Sequence, residues 1–102
     1  DAPNSQCRVV QSGLTAIQDI AVDPFTGALY VYELAEGGTL AFEEGFDTGV
    51  FPPAVLLEIR GNQRRELAAG QLSQPGGVTA ALGIVHVTDG IFTGGRLLRV
   101  RR

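Results

Sequence analysis

The feature that most limits what this chain can fold into is an internal repeat of short strand-like runs. Residues 14–22 correspond to residues 72–80 at a spacing of 58, and residues 29–33 correspond to 85–89 at a spacing of 56. Residues 55–60 correspond to 96–101 at a spacing of about 41. The spacing first shrinks because Ala81-Leu82-Gly83 is a shorter turn than Asp23-Pro24-Phe25-Thr26-Gly27. It shrinks again because only the first copy carries a long insertion, at 35–53. Self-similarity near this period, with several strands per unit, marks the blade of a β-propeller. A single blade cannot bury both faces of its sheet, so stacked neighbours must do it.

Within each copy, alternating or β-branched runs sit between Gly and Pro punctuation, the pattern of strands and turns. Strands are expected to centre on Val9, Ile20, Val31, Leu57, Leu67, Val78, Val87 and Leu98. The turn at 23–27 has Pro24 to preset φ and Gly27 to permit a positive φ. The stretch 35–53, with Gly37, Gly38, Gly45, Gly49, Pro52 and Pro53, reads as a long irregular loop. The fold class is therefore all-β: a β-propeller segment of two four-stranded antiparallel blades. Residues 1–7 form an N-terminal tail, and the blade repeats cover approximately 8–69 and 70–102. Ile20, Val22, Leu29, Val31, Leu57, Ile59, Val78, Val85, Val87, Leu98 and Val100 are the expected core.

Charge and cysteine usage exclude several function classes. Net charge is −3, with 44% hydrophobic and 19% charged residues, the balance of a folded domain. Residues 1–58 carry −8 and residues 59–102 carry +5, and every basic residue is Arg. The basic half has no aromatic stacking ladder or nucleic-acid motif, so no nucleic-acid partner is expected. Cys7 is the single cysteine, which rules out an intrachain disulfide and a Cys-based zinc site. No apolar run is long enough for a membrane span. The chain opens Asp1-Ala2-Pro3-Asn4 rather than with Met, which suggests a processed or partial chain.

Ser12-Gly13-Leu14, Ile20-Ala21-Val22, the turn from Asp23-Pro24 to Gly27, and Leu29-Tyr30-Val31 together resemble the NHL-type blade. More narrowly, Glu33-Leu34-Ala35 before a Gly-rich insertion is similar to the ScyD/ScyE family, bacterial propeller proteins named for the scytonemin gene cluster. The apolar-to-Arg strand that follows, the run from Ala69-Gly70 to Pro75-Gly76-Gly77-Val78, and Gly94-Gly95-Arg96 resemble that family too. The resemblance covers residues 8–102 and implies the C-terminal two blades of a longer propeller. It also implies an extracytoplasmic location, periplasmic or secreted, and a link to secondary metabolism. It supplies no catalytic residues. The second copy departs from the pattern, lacking the Asp-Pro turn and having His86 where the first has Tyr30.

Two groups of residues are candidates for a site. Asp19, Glu33, His86 and Asp89 are the polar residues nearest the inner strands, which in a propeller ring a central channel. Such carboxylates with one His could hold Ca²⁺ or a harder transition ion. The simpler reading, and the one the sequence favours, is solvated strand-end groups, with His86 facing water or satisfied by hydrogen bonds. Phe42, Phe46 and Phe51 lie in the 35–53 stretch among Glu43, Glu44 and Asp47. Three rings in one loop must bury against something, either their own blade or a small hydrophobic ligand or partner.

The functional expectation is a non-catalytic propeller module that binds a ligand or partner. The alternatives are a metal-assisted hydrolase or lyase of the six-bladed type and a structural fragment of a larger propeller. Its partners are expected to be the remaining blades, or further copies of itself associating head to tail with Arg8 to Gln11 completing the neighbour's second blade.

Overall fold

The computed structural model describes residues 6–102 and is mostly β, with seven strands and one helix among those residues. β1 (Ile17–Val22), β2 (Leu29–Glu33), β3 (Val55–Arg60) and β4 (Gln63–Leu67) form an antiparallel meander in that order. β5 (Val78–Ala81), β6 (Ile84–Asp89) and β7 (Arg96–Val100) form a second meander of three strands. Neither sheet closes on itself. α1 (Gly38–Thr48) joins β2 to β3.

The repeat read from sequence is also a repeat of hydrogen-bond register. In the first sheet Val31 sits between Ile20 and Leu57, and Leu29 between Val22 and Ile59. In the second, Val87 sits between Val78 and Leu98, and Val85 between Ala80 and Val100. Those are the repeat partners of the first set, position for position. The opposite face follows suit: Tyr30 lies between Ala21 and Glu58, and His86 between Thr79 and Arg99.

The two sheets do not bury equivalent faces. Side chains alternate across a strand, so 30, 32, 56 and 58 share one face and 29, 31, 57 and 59 the other. The shared core takes Tyr30, Tyr32 and Leu56 from the first sheet and Val78, Val85, Val87 and Val100 from the second. Leu98 and Ala80 pack against it, and Ala28, Ala54, Leu67 and Leu72 fill its edges. The second sheet thus buries the face whose counterpart in the first sheet points away from the core. Stacking is head to tail.

That arrangement corrects part of the expected core. Val31, Ile59, Val78, Val85, Val87 and Val100 are buried, while Leu29, Leu57 and Leu98 are half-buried. Ile20 and Val22 are 54% and 58% exposed because their face along β1 has no sheet above it. Arg64, beside Ile59 on that face, hydrogen-bonds Gln11, Ser12 and Gly13 and so draws residues 11–13 over its far side. The strand expected around Val9 does not form: residues 8–11 join no sheet among the described residues, and Val9 is 82% exposed. A short β-forming run has no stability without a partner strand. Among the described residues the second sheet has three strands rather than four, with β5 and β7 at its edges. Of the expected 1–7 tail, residues 1–5 lie outside the described residues.

The 35–53 stretch is not irregular throughout. α1 occupies eleven of its residues and stops at Gly49, whose φ of 76° and N–H to the Gly45 carbonyl (2.8 Å) close the C-terminus. Phe42 and Phe46, four apart, share one face of this helix. Gly45 is required by close approach: a Cβ there would run into the ring of Phe51.

Asp23 fastens the sheets at the β1–β2 turn. Its carboxylate accepts the N–H groups of Phe25 (2.9 Å) and Thr26 (3.3 Å) in its own turn. It also accepts Leu82 (3.0 Å) and Gly83 (2.6 Å) in the matching turn of the second sheet. That two-residue hairpin needs positive φ at both positions, 54° at Leu82 and 76° at Gly83. Burial alone would raise the Asp23 carboxyl, but the four backbone donors outweigh it and hold its pKa down to about 2.

Candidate functional site

The connection that leaves β2 and the one that leaves β6 are repeat equivalents, and they meet. Phe42 and Phe46 from α1, Phe51 from the segment after it, and Phe92 from the β6–β7 loop form one aromatic cluster. Every pair of the four has ring centroids within 6.2 Å. Phe46 meets Phe51 and Phe92 at 5.0 Å, edge to face in both cases, the favoured geometry for aromatic pairs. Phe42 is buried at the base. Phe46 and Phe92 are 57% and 54% exposed, and their sequence neighbourhood adds exposed Val50 and Ile91.

Phe92 is held from below by residues just before β5. The Gln74 side-chain oxygen accepts the Phe92 N–H (3.1 Å) and the Thr93 hydroxyl (3.2 Å). The Gly90 N–H donates to the Ser73 carbonyl at 2.8 Å. Gln74 is itself buried. The loop therefore presents its ring on a fixed backbone, so little ordering is left for a ligand to impose.

Of the sequence-derived residues, Phe42, Phe46 and Phe51 are brought together. Sequence reading did not include Phe92 or Gln74. The available signal was Ile91-Phe92 between Gly90 and Gly94-Gly95, an apolar pair in the loop matching the 35–53 insertion.

The polar candidates Asp19, Glu33, His86 and Asp89 are not brought together. Among the described residues no three His, Cys, Asp or Glu side chains converge in a way that could hold a metal ion. Asp19 instead accepts the Val78 N–H at 2.8 Å and ties β1 to β5. Glu33 accepts the Thr15 N–H at 2.8 Å. Asp89 is buried and takes the Arg96 guanidinium through Nε (3.0 Å) and Nη2 (2.8 Å), a forked pair that also raises the Arg96 pKa. His86 lies half-buried on the outer face of the second sheet between Thr79 and Arg99. The Tyr32 hydroxyl, pushed up by burial and then by the Asp89 charge, donates to the Thr88 carbonyl at 3.4 Å.

No family model and no curated protein matches the chain. Among the described residues no helix is long and apolar enough to cross a membrane. The chemistry on offer at the aromatic cluster is apolar contact with a few backbone groups behind it.

Proposed function

We propose that this chain is a non-catalytic binding module made of consecutive stacked sheets of a β-propeller, with the aromatic cluster as its ligand or partner surface. The observation that carries the reading is head-to-tail stacking of two register-equivalent meanders. A stack of that kind has no natural end, because each added sheet presents a fresh face to the next. Along β1 this face is apolar and open at Ile20 and Val22, as the first face of such a stack would be without its neighbour. A neighbouring sheet offering tyrosines, as the first sheet does to the second, suits that face. The chain's own free face carries His86 and Thr88 at the two tyrosine positions, beside Thr79, Leu97 and Arg99, and this lack of tyrosines favours the remaining blades over copies of itself. A place in the ScyD/ScyE family, with its extracytoplasmic location and tie to secondary metabolism, belongs to the same proposal and rests on the blade motifs.

Apolar-ligand binding is tested by titrating the chain with an environment-sensitive hydrophobic dye. Phe46→Ala and Phe92→Ala are expected to abolish most of the fluorescence gain, while Ile20→Asp leaves it. The reverse pattern would move the binding surface to the open sheet face and sink the aromatic cluster as the site.

A further inference from the structure

At the outer end of the first sheet, away from the aromatic cluster, lies a cationic cleft. Its volume is about 610 Å³, and Glu58, Arg60, Gln63, Arg65 and Arg102 line most of it. The register explains the clustering: Glu58 pairs with Arg65 and Arg60 with Gln63, so all four share one face of the β3–β4 hairpin. Arg102 comes from just beyond β7 and closes the cleft from the side of the second sheet.

Glu58 organises this group. Its side chain is only 3% exposed and accepts the Tyr30 hydroxyl at 2.7 Å, Arg65 Nε at 2.8 Å and Arg102 Nε at 2.5 Å. Arg60 Nε stands 3.8 Å away. Three guanidiniums therefore surround one carboxylate, which leaves cationic charge over. Glu58 holds both Arg65 and Arg102 through Nε. Arg102 also meets the Tyr30 hydroxyl, while among the described residues the Nη atoms of Arg65 have no hydrogen bond, which leaves that fork for another acceptor. Guanidinium forks matched to an oxyanion and oriented beforehand lose less freedom on binding than a mobile lysine.

We propose that this cleft binds an oxyanion of the phosphate or sulfate class between Arg60, Arg65 and Arg102, with Glu58 as the positioning residue. The test is calorimetric titration of the full chain with inorganic pyrophosphate and with sulfate, against chloride at equal ionic strength. Saturable binding that chloride does not reproduce is expected. Arg65→Lys keeps the charge and loses the fork, and should weaken binding about tenfold. Glu58→Gln makes the cleft more positive, yet should also weaken binding, because the arginines lose their anchor. A chloride response equal to that of pyrophosphate, or tighter binding by Glu58→Gln, would show plain charge attraction and overturn the site. Should Glu58→Gln fail to fold, Arg65→Lys decides alone, since its side chain is half exposed and unchanged affinity there refutes the role of the fork.

Discussion

The two sheets share a meander and a register, yet they are finished differently. The first has four strands, buries its tyrosine face and leaves Ile20 and Val22 in solvent. The second has three strands, buries its valine face and leaves Thr79, Thr88 and Leu97 in solvent. Positions equal in the repeat are therefore unequal in energy. Leu56 is fully buried, while its counterpart Leu97 is 72% exposed. Alternation tells which residues share a face, but which face is covered depends on what stacks above it.

The largest expected effects test that inequality directly. Leu56→Ala should destabilise the chain by about 2–5 kcal/mol, the range for a packed core leucine. Leu97→Ala, at the same repeat position, should stay within about 0.5 kcal/mol, as for a surface site. Urea denaturation of both variants checks the pair, and similar losses would mean that Leu97 is covered in solution. Leu57→Ala, on the half-open face, should fall between the two.

Glu58 and its counterpart Arg99 give the next contrast. Burial alone would raise the Glu58 carboxyl, but hydrogen bonds from Arg102, Tyr30 and Arg65 outweigh it and hold the pKa near 2, against an ordinary 4.5. A carboxyl whose folded pKa is depressed stabilises fully above its unfolded pKa and loses that contribution as pH falls through the folded one. Glu58→Gln should destabilise by about 1–3 kcal/mol at neutral pH, through loss of charged hydrogen bonds. The gap from the parent should narrow between about pH 5 and pH 2. A gap that stays constant with pH would remove the charge from the explanation. Arg99→Gln should shift stability far less at any pH, because Arg99 lies exposed on the free face.

Asp23 allows a smaller comparison of the two turns it joins. Asp23→Asn keeps the shape but replaces one acceptor oxygen with a donor, facing N–H groups it cannot bond. A loss of about 1–2 kcal/mol is expected from thermal melts, within the usual range for such hydrogen bonds. Asp23 should also contribute to acid destabilisation over the same window, because its carboxyl is held to about 2.

Much of the β architecture was legible because strands declare themselves through turns. The turn at 23–27, the short turn at 81–83 and the existence of seven of the eight strands follow from Gly, Pro and β-branched spacing, although Leu67 ends β4 and Val78 begins β5 rather than lying at their centres. α1 was hidden because Gly38, Gly45 and Gly49 lie in or beside it, and glycine reads as a helix breaker. Gly45 is there for Phe51, a contact no local pattern announces. Ile20 and Val22 were misplaced because the strand pattern they follow is the one that buries Val78 in the second sheet. The three phenylalanines of 35–53 were legible as rings in need of a partner. Phe92 was not, since its approach depends on how the sheets stack.

The smallest expected effect concerns the open face itself. Replacing Ile20 and Val22 by Thr keeps β-branching and strand preference while removing apolar surface from a face now in water. Stability of the isolated chain should then change by less than about 0.5 kcal/mol. Association should respond more than stability does, because exposed apolar patches promote contact. Sedimentation velocity across micromolar concentrations separates two ways of covering the face. Weak, unspecific association of the parent that vanishes in the Thr variant is expected if the natural cover is another sheet with tyrosines. A discrete trimer would mean that Thr79, His86, Thr88 and Arg99 of one copy do close over Ile20 and Val22 of the next. Head-to-tail stacking would then continue between chains, and the two sheets would differ only because a copy had been left off.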